Sequence, residues 1–461
     1  MSQTFCSLQA DGMVYCFGNN ENGALGNGNR EASQIPVLMR DVVRASDVAV
    51  GVFHSCVVDW GNIVKCVGAN DGGALGVNNV EVDSLSLVTI ASGMGAQVSQ
   101  VYANYQRSCA LLVTGGVRCW GENRYGALGD GSTTTRFVPV VMTGFSTQGA
   151  VDVSMGYTHT CVLTTTGLLR CVGSNSDGEL GDGTKINRKT PVQVVGFPNQ
   201  AKIVAVAAGG WHTCAVNIRN QAYCWGYDMY AQLGQGEITG SSVKPLMPLG
   251  LQGIPISNVF AGRVSSFVML ASNSSIMGFG DNELGGLSTG DTNTRFVPTK
   301  FWNGKTGVKE VRGGFSGTCV LDQLDRVYCV GRNDRGEDRP EAALIMQLIP
   351  GFPDSPLPKY RKCKPTFGLT KLTCERLQIQ CRKESLILME WSGPGCSVKG
   401  KKVNDAGCRC AGYCGYTCKA ACNASASKKC VWDNETSKCI NKHSRLPESS
   451  VPFSHCPITT I

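Results

Sequence analysis

The feature that most constrains this chain is one sentence written seven times. CSLQADGMVYCFGNNENGALGNG begins at Cys6, CVVDWGNIVKCVGANDGGALG at Cys56, CALLVTGGVRCWGENRYGALGDG at Cys109, CVLTTTGLLRCVGSNSDGELGDGT at Cys161 and CAVNIRNQAYCWGYDMYAQLGQG at Cys214. A sixth copy, FVMLASNSSIMGFGDNELGGL from Phe267, has neither cysteine and one extra residue, and a worn seventh, CVLDQLDRVYCVGRNDRGE, starts at Cys319. The copies lie about 52 residues apart. Self-similarity on that scale means a repeat architecture, because each unit leaves a face that only its neighbours can bury.

Each copy reads as a β-hairpin. Setting the two cysteines of a copy opposite each other leaves a three-residue loop, a length that needs one residue with positive φ. The residue six places after the first cysteine position is Gly12, Asn62, Gly115, Gly167, Asn220, Asn273 or Asp325. All seven are residue types that tolerate left-handed backbone. Directly opposed residues on antiparallel strands stand about 4.5 to 5.5 Å apart, within reach of a disulfide. Cys6 with Cys16, Cys56 with Cys66, Cys109 with Cys119, Cys161 with Cys171, Cys214 with Cys224 and Cys319 with Cys329 are each expected to staple one hairpin. In the loop-entropy account such a staple is worth roughly 2 to 3 kcal/mol, less any strain.

Two further strands follow each hairpin. IPVL from Ile35, VPVV from Val138, TPVQV from Thr190 and VPT from Val297 each carry one proline, which suits an edge strand. VAVG from Val48, VDVSMG from Val151, IVAVAAGG from Ile203 and VKEVRGG from Val308 are small and β-branched, which suits an inner strand. Four short strands per unit, repeated seven times, predict an all-β fold: a seven-bladed β-propeller over residues 1–350. Glycine, 57 of 461 residues, fits the many turns.

The pattern G-x-x-H-[ST]-C, then a turn and C-[WFV]-G-x-N-x-x-G-x-L-G-[DN]-G, resembles the regulator of chromosome condensation repeat. It is legible in GVFHSC from Gly51, GYTHTC from Gly156 and GWHTC from Gly210. The resemblance covers residues 1 to about 350. It implies the propeller, but members of the family include a nucleotide exchange factor, a plant photoreceptor and a bacterial β-lactamase inhibitor, so it leaves function open. The photoreceptor reading needs clustered tryptophans with arginines on one face, and only Trp211 falls in the corresponding corner.

Cysteine usage points to the compartment. Twenty-four cysteines, twelve of them in facing hairpin pairs, imply an oxidising environment and an extracellular or secreted protein. Sequons at Asn273, Asn423 and Asn434 agree with secretion in a eukaryote, and each is a candidate glycosylation site. Against this, the chain shows no signal peptide and no apolar run of 18 residues, hence no transmembrane segment. It begins at MSQTFC, aligned with the middle of GYTHTC, without the strand that precedes the motif in other copies. AALIMQLI, Ala342 to Ile349, is placed to close the ring; a truncated start is the alternative.

A proline-rich linker, residues 351–358, precedes a second region, a basic cysteine-rich domain over 359–461. That region holds the other twelve cysteines, which reads as a small disulfide scaffold. Cys410, Cys414, Cys418 and Cys422 recur every four residues, a spacing that shares one face of a helix. Zinc on this cluster is the alternative to disulfides; the oxidised first region favours disulfides, so no metal is expected. From residue 359 onward there are 18 Lys and Arg against 7 Asp and Glu, a balance of +11, whereas the preceding 358 residues hold 25 against 28 and give −3. The basic region suits an acidic glycan, an anionic surface or a neighbouring acidic propeller, or serves simply as a solvated surface.

Motifs for chemistry are missing: there is no G-x-S-x-G elbow, phosphate loop or HExxH, and no cofactor is expected. His54, His159 and His212 recur two residues before a cysteine, the mark of a structural strut rather than a catalytic base. The Gly-Asp-Gly loops at 129–131 and 181–183 lack the spaced carboxylates of a calcium site and read as turns. The better functional candidates are aromatics just after the recurring glycine: Phe53, Tyr105, Tyr157, Trp211 and Phe315. They form either a broken aromatic ring at the propeller mouth, with Arg107 and Arg263 among them, or packing between blades. The expected function is extracellular, non-enzymatic binding of a protein or glycan, or self-assembly, with no nucleic-acid partner. The alternative is a guanine-nucleotide exchange factor or enzyme-regulating propeller.

Overall fold

In every repeat but the sixth the two cysteines face each other across an antiparallel hairpin and are bonded. The pairs 6–16, 56–66, 109–119, 161–171, 214–224 and 319–329 share one register and one Cα separation, 4.1 Å. The computed structural model describes residues 4–352 apart from 79–81, 91, 147–148, 315–316 and 332–342, together with 430–433, 438–441 and 450–451. Contacts divide the chain into two units, Met1–Asp354 and Ser355–Ile461.

The first unit is an all-β, seven-bladed propeller. Six sheets have four strands in chain order and one has three. In blade 4, for example, Ala150–Met155, His159–Thr164, Leu169–Gly173 and Arg188–Gln193 pair in sequence. The first strands of successive blades touch one another and so line the axis. The proline-bearing strands lie outermost, where the missing N–H leaves no ladder bond unmade. Side chains of the second and third strands fill the space between blades. Cys56, Cys66 and Leu75 of blade 2 form one core with Val98, Ala110 and Trp120 of blade 3, so the disulfides sit inside the inter-blade core.

The hairpin loops follow the expected chemistry in six blades. Gly12, Asn62, Gly115, Gly167, Asn220 and Asp325 all adopt positive φ. The sixth departs from it. There the facing pair is Phe267 with Gly278, eleven residues apart, and the loop has four residues instead of three. The extra residue moves the left-handed position to Ser274, φ 54°, so Asn273 does not fill that slot. The fully buried Phe267 ring lies over Gly278, taking the place a disulfide fills elsewhere.

Ring closure also differs from expectation. Residues Ala343–Leu348 form the outer strand of blade 7, paired with Val327–Gly331, and do not complete blade 1. Among the described residues blade 1 has three strands, Thr4–Leu8, Val14–Gly18 and Ser33–Leu38. Its Thr4–Leu8 strand is mostly half-buried, whereas the equivalent strands of blades 2, 3 and 5 are buried throughout. The seam is closed by Phe352, whose ring meets Phe17 at 6.2 Å. Phe197 meets Trp225 in the same way between blades 4 and 5. The same outer strand followed by Gly-Phe ends blades 3 and 4, at Gly144-Phe145 and Gly196-Phe197.

The second unit contributes one described sheet, Cys430–Asp433, Lys438–Asn441 and Ser450–Val451, paired antiparallel. The four-residue cysteine repeat from Cys410 to Cys422, and Asn423 and Asn434, lie outside the described residues.

Candidate functional site at the propeller mouth

In an antiparallel meander the turn between strands one and two and the loop between strands three and four open at the same end, and the stapled hairpins at the other. The G-x-x-H corners therefore ring the axis on one face, with the N-x-x-G-x-L-G loops outside them.

Imidazoles brace this face from below. His54 Nε2 bonds Ser108 Oγ of the next blade at 2.8 Å, and Ser108 Oγ donates to Ala74 O at 3.1 Å. The hydroxyl thus links the ring to a main-chain carbonyl of its own blade. His159 with Thr213 and Glu179 O, and His212 with Ser266 and Gln232 O, repeat the relay. Trp120 and Trp225 donate indole N–H to the Ala74 and Glu179 carbonyls, joining the same lattice. Burial holds the imidazoles neutral, pulling His54 down to about 4 and His159 and His212 to about 3. Their corner demands glycine: a Cβ at Gly156 would stand 2.3 Å from His159 Cε1. These histidines are struts, with no face open to a substrate.

Four blades lack the imidazole: the position is Thr4 in blade 1, Arg107 in blade 3, Ser265 in blade 6 and Gly317 in blade 7. Arg107 takes the imidazole position in blade 3, fully buried, with Nη2 on Gly156 O at 2.7 Å and Tyr157 O at 2.8 Å. Its Nε and Nη1, and the Oγ1 of Thr160 opposite, have no partner among the described residues. In blade 6 the position is Ser265, and a polar cavity of about 20 Å³ opens beside it, lined also by Asp281, Asn282 and Thr318.

Above the struts, main-chain bonds cross from blade to blade. Val52 N donates to Tyr105 O, Tyr157 N to Gly210 O, Gly210 N to Arg263 O and Arg263 N to Gly314 O. Tyr105 has φ 51°, and the two Arg107 bonds stand at its step of the rim.

On this rim the aromatics form one continuous arc. Ring centroids run Phe53 to Tyr105 at 6.4 Å, Tyr105 to Tyr157 at 5.7 Å and Tyr157 to Trp211 at 5.4 Å. The arc then turns outward through Tyr227 and Tyr230, at 6.2 Å each. Arg263 lies over Trp211 at 5.4 Å. The inner four rings are half-buried. Burial raises the Tyr157 hydroxyl to about 12, keeping it a neutral donor and acceptor.

Of the residues singled out from the sequence, Phe53, Tyr105, Tyr157 and Trp211 come together, Arg263 joins them, and Arg107 lies beneath. Phe315 lies outside the described residues. Asn273 is exposed on the hairpin face, at the opposite end of the blades. Tyr227 and Tyr230 were missed, although CWGYDMY departs visibly from the C-x-G-x-N-x-x-G of other copies. The Gly-Asp-Gly loops are braced turns: the Asp130 carboxylate holds Ser132 and Arg136, and Asp182 holds Thr184 and Arg188. No cluster of three metal-ligating side chains occurs among the described residues.

Family models for the regulator of chromosome condensation repeat match residues 11–58, 114–163 and 167–216, and a second such model matches 98–127, 150–179 and 203–232. The chain is 30% identical over 321 residues to the ultraviolet-B receptor UVR8 of Arabidopsis thaliana, covering 66% of this chain and 70% of that protein. The chain belongs to this repeat family. It is also 29% identical over 252 residues to the probable E3 ubiquitin-protein ligase HERC6 of Homo sapiens, spanning 54% of this chain and 24% of that relative. Among solved structures the family fold recurs in human WBSCR16, at TM-score 0.64 and 20% identity over 76% of this chain and 94% of that one. Yeast RCC1 (Prp20) bound to Kap60 matches equally, at 0.64 and 21% over 76% and 84%. At that identity the likeness is one of fold.

Proposed function

We infer that this chain is an extracellular, non-enzymatic binding protein that grips a protein partner at the mouth of a disulfide-stapled propeller. The observation that carries the reading is the unbroken arc from Phe53 to Tyr230 with Arg263 stacked on it. Aromatics and arginine are the side chains that dominate protein-binding hot spots. A rim already bonded blade to blade loses little freedom when a partner docks. The arc leads outward to Met229 and Tyr230, 51% and 39% exposed, so the apolar track widens toward the blade-5 loop. Six bonded hairpins support an oxidising address. Prp20p from Saccharomyces cerevisiae, a solved structure of this fold, binds Gsp1p and histones, which supports protein recognition as the use of the fold. The basic, cysteine-rich region supplies a second, electrostatic contact to an anionic surface.

The test compares capture by the wild-type chain with capture by Trp211→Ala and Tyr227→Ala, using extracellular fluid of the source as bait. The expected result is at least about a tenfold loss of one retained protein, since hot-spot truncation costs about 2 kcal/mol or more. Equal retention by all three proteins, or retention abolished by glycosidase treatment of the fluid, overturns the reading. Alkylation of Cys109 and Cys119 without prior reduction in protein from the source would overturn the address.

A further inference from the structure

We propose that Asn273 carries an N-linked glycan, attached before the sixth hairpin closes. The proposal rests on the extracellular reading for its compartment and on the sixth hairpin for its geometry.

Asn273-Ser274-Ser275 occupies the tip of the one hairpin whose facing pair is Phe267 and Gly278 rather than two cysteines. The loop is a residue longer than the other six. Its left-handed residue is Ser274, which leaves Asn273 free of the backbone duty that Gly, Asn or Asp performs at this position elsewhere. The Asn273 side chain is exposed, and its Oδ1 accepts the N–H of Ser275 at 3.0 Å. The Asn273 carbonyl is fixed by Gly307 N and that of Ser274 by Val308 N, so the tip is anchored through main chain while the side chain projects. An attached sugar meets solvent here, on the face opposite the aromatic arc.

Ser275 is the contrasting element. Its hydroxyl is what makes the sequon an acceptor, yet the residue is only 6% exposed in the folded hairpin. A transferase that must read both residues finds Ser275 accessible only while the hairpin is open. With no disulfide to lock it, this hairpin stays openable longer than its six stapled neighbours during folding in an oxidising compartment. In the transfer, Asn273 Nδ2 forms a bond to the anomeric carbon of a lipid-linked oligosaccharyl pyrophosphate. The bond from that carbon to the pyrophosphate oxygen breaks, the lipid pyrophosphate leaves with the electron pair, and the amide proton passes to solvent.

The full chain is directed into the secretory pathway of a eukaryotic host by an added leader, and the peptide spanning residue 273 is read by mass spectrometry before and after amidase removal of N-glycans. The expected result is a glycosylated peptide, lost in Asn273→Gln and in Ser275→Ala and retained in Ser275→Thr, with all variants secreted. A second arm offers microsomal oligosaccharyltransferase either the oxidised, folded chain made without glycans or the reduced, unfolded chain. Only the unfolded chain is expected to be modified at residue 273. A secreted, fully disulfide-bonded chain bare at Asn273 overturns the site, and modification of the folded chain overturns the order of events. Because the leader imposes the compartment, neither outcome depends on where the natural protein resides; failure of the extracellular reading shows separately, as free thiols at Cys109 and Cys119.

Discussion

Mild acid should unpick the propeller through its imidazole struts. His54, His159 and His212 are buried and neutral, with pKa values lowered by burial to about 4, 3 and 3 from 6.5. Unfolded, each takes up a proton as the pH drops below 6.5; folded, each stays neutral until much lower. The contribution is therefore complete above pH 6.5, is lost as the pH falls, and levels off below the folded values. At about 1.36 kcal/mol per pH unit, the descent from 6.5 to 5 removes about 2 kcal/mol per strut and about 6 kcal/mol for three. Asp59, Asp130, Asp182 and Asp322 are held below their ordinary value of 3.8 and act only in stronger acid. Glu179, raised by burial, works the other way and offsets part of one strut. The assay is urea unfolding of the oxidised chain between pH 7.5 and 5, read by Trp120 and Trp225, both fully buried and bonded to the carbonyls the struts engage. Stability is expected to be level above pH 6.5 and to fall below it with a slope approaching about 4 kcal/mol per pH unit, reduced by about a third in His212→Gln. A urea midpoint level across this window, or a slope that His212→Gln leaves unchanged, would refute the assignment of these rings as buried neutral struts.

Ser265→His places an imidazole beside Thr318, at the wall of the polar cavity of about 20 Å³. It is expected to raise stability at pH 7.5 by about 1 kcal/mol and to steepen the pH slope, both read in the same titration. Paired replacement Cys109→Ser with Cys119→Ser removes the blade-3 staple and is expected to cost about 2 to 3 kcal/mol. Hydrogen exchange should localise the loosening to residues 107–121, and uniform loosening of the ring would contradict a staple confined to one sheet.

The fold was legible because its signals are local and repeated. Facing cysteines specify register, the left-handed loop position specifies the turn, and proline marks the outer edge. Each lies within a dozen residues of its partner, so no distant contact has to be guessed. Two failures share one cause. A single inserted residue in the sixth hairpin moved the positive φ from Asn273 to Ser274, and an outer strand without proline, Ala343–Leu348, was read as a closing strand. Both are local exceptions that average periodicity hides. The mouth was half legible. The aromatics were visible, but they sit at two different offsets from the imidazole position. Phe53 and Trp211 directly precede a histidine, whereas Tyr105 and Tyr157 stand two residues before Arg107 and His159. Only the curvature of the ring brings both offsets into one arc, and only the loop of blade 5 extends it to Tyr230.

The arc also falls on the best-braced part of the ring. It spans blades 2 to 5, each of which has a bonded hairpin and a large side chain, imidazole or guanidinium, bridging to the next blade. Blade 6 has neither staple nor strut, and blade 1 shows three strands among the described residues. Since local opening follows local stability, fluctuations concentrate in blades 6, 7 and 1. Blade 6 still meets the rim, through Arg263 stacked on Trp211 and Ser266 bonded to His212. A partner docking on Tyr157 and Trp211 thus meets a surface that needs little ordering.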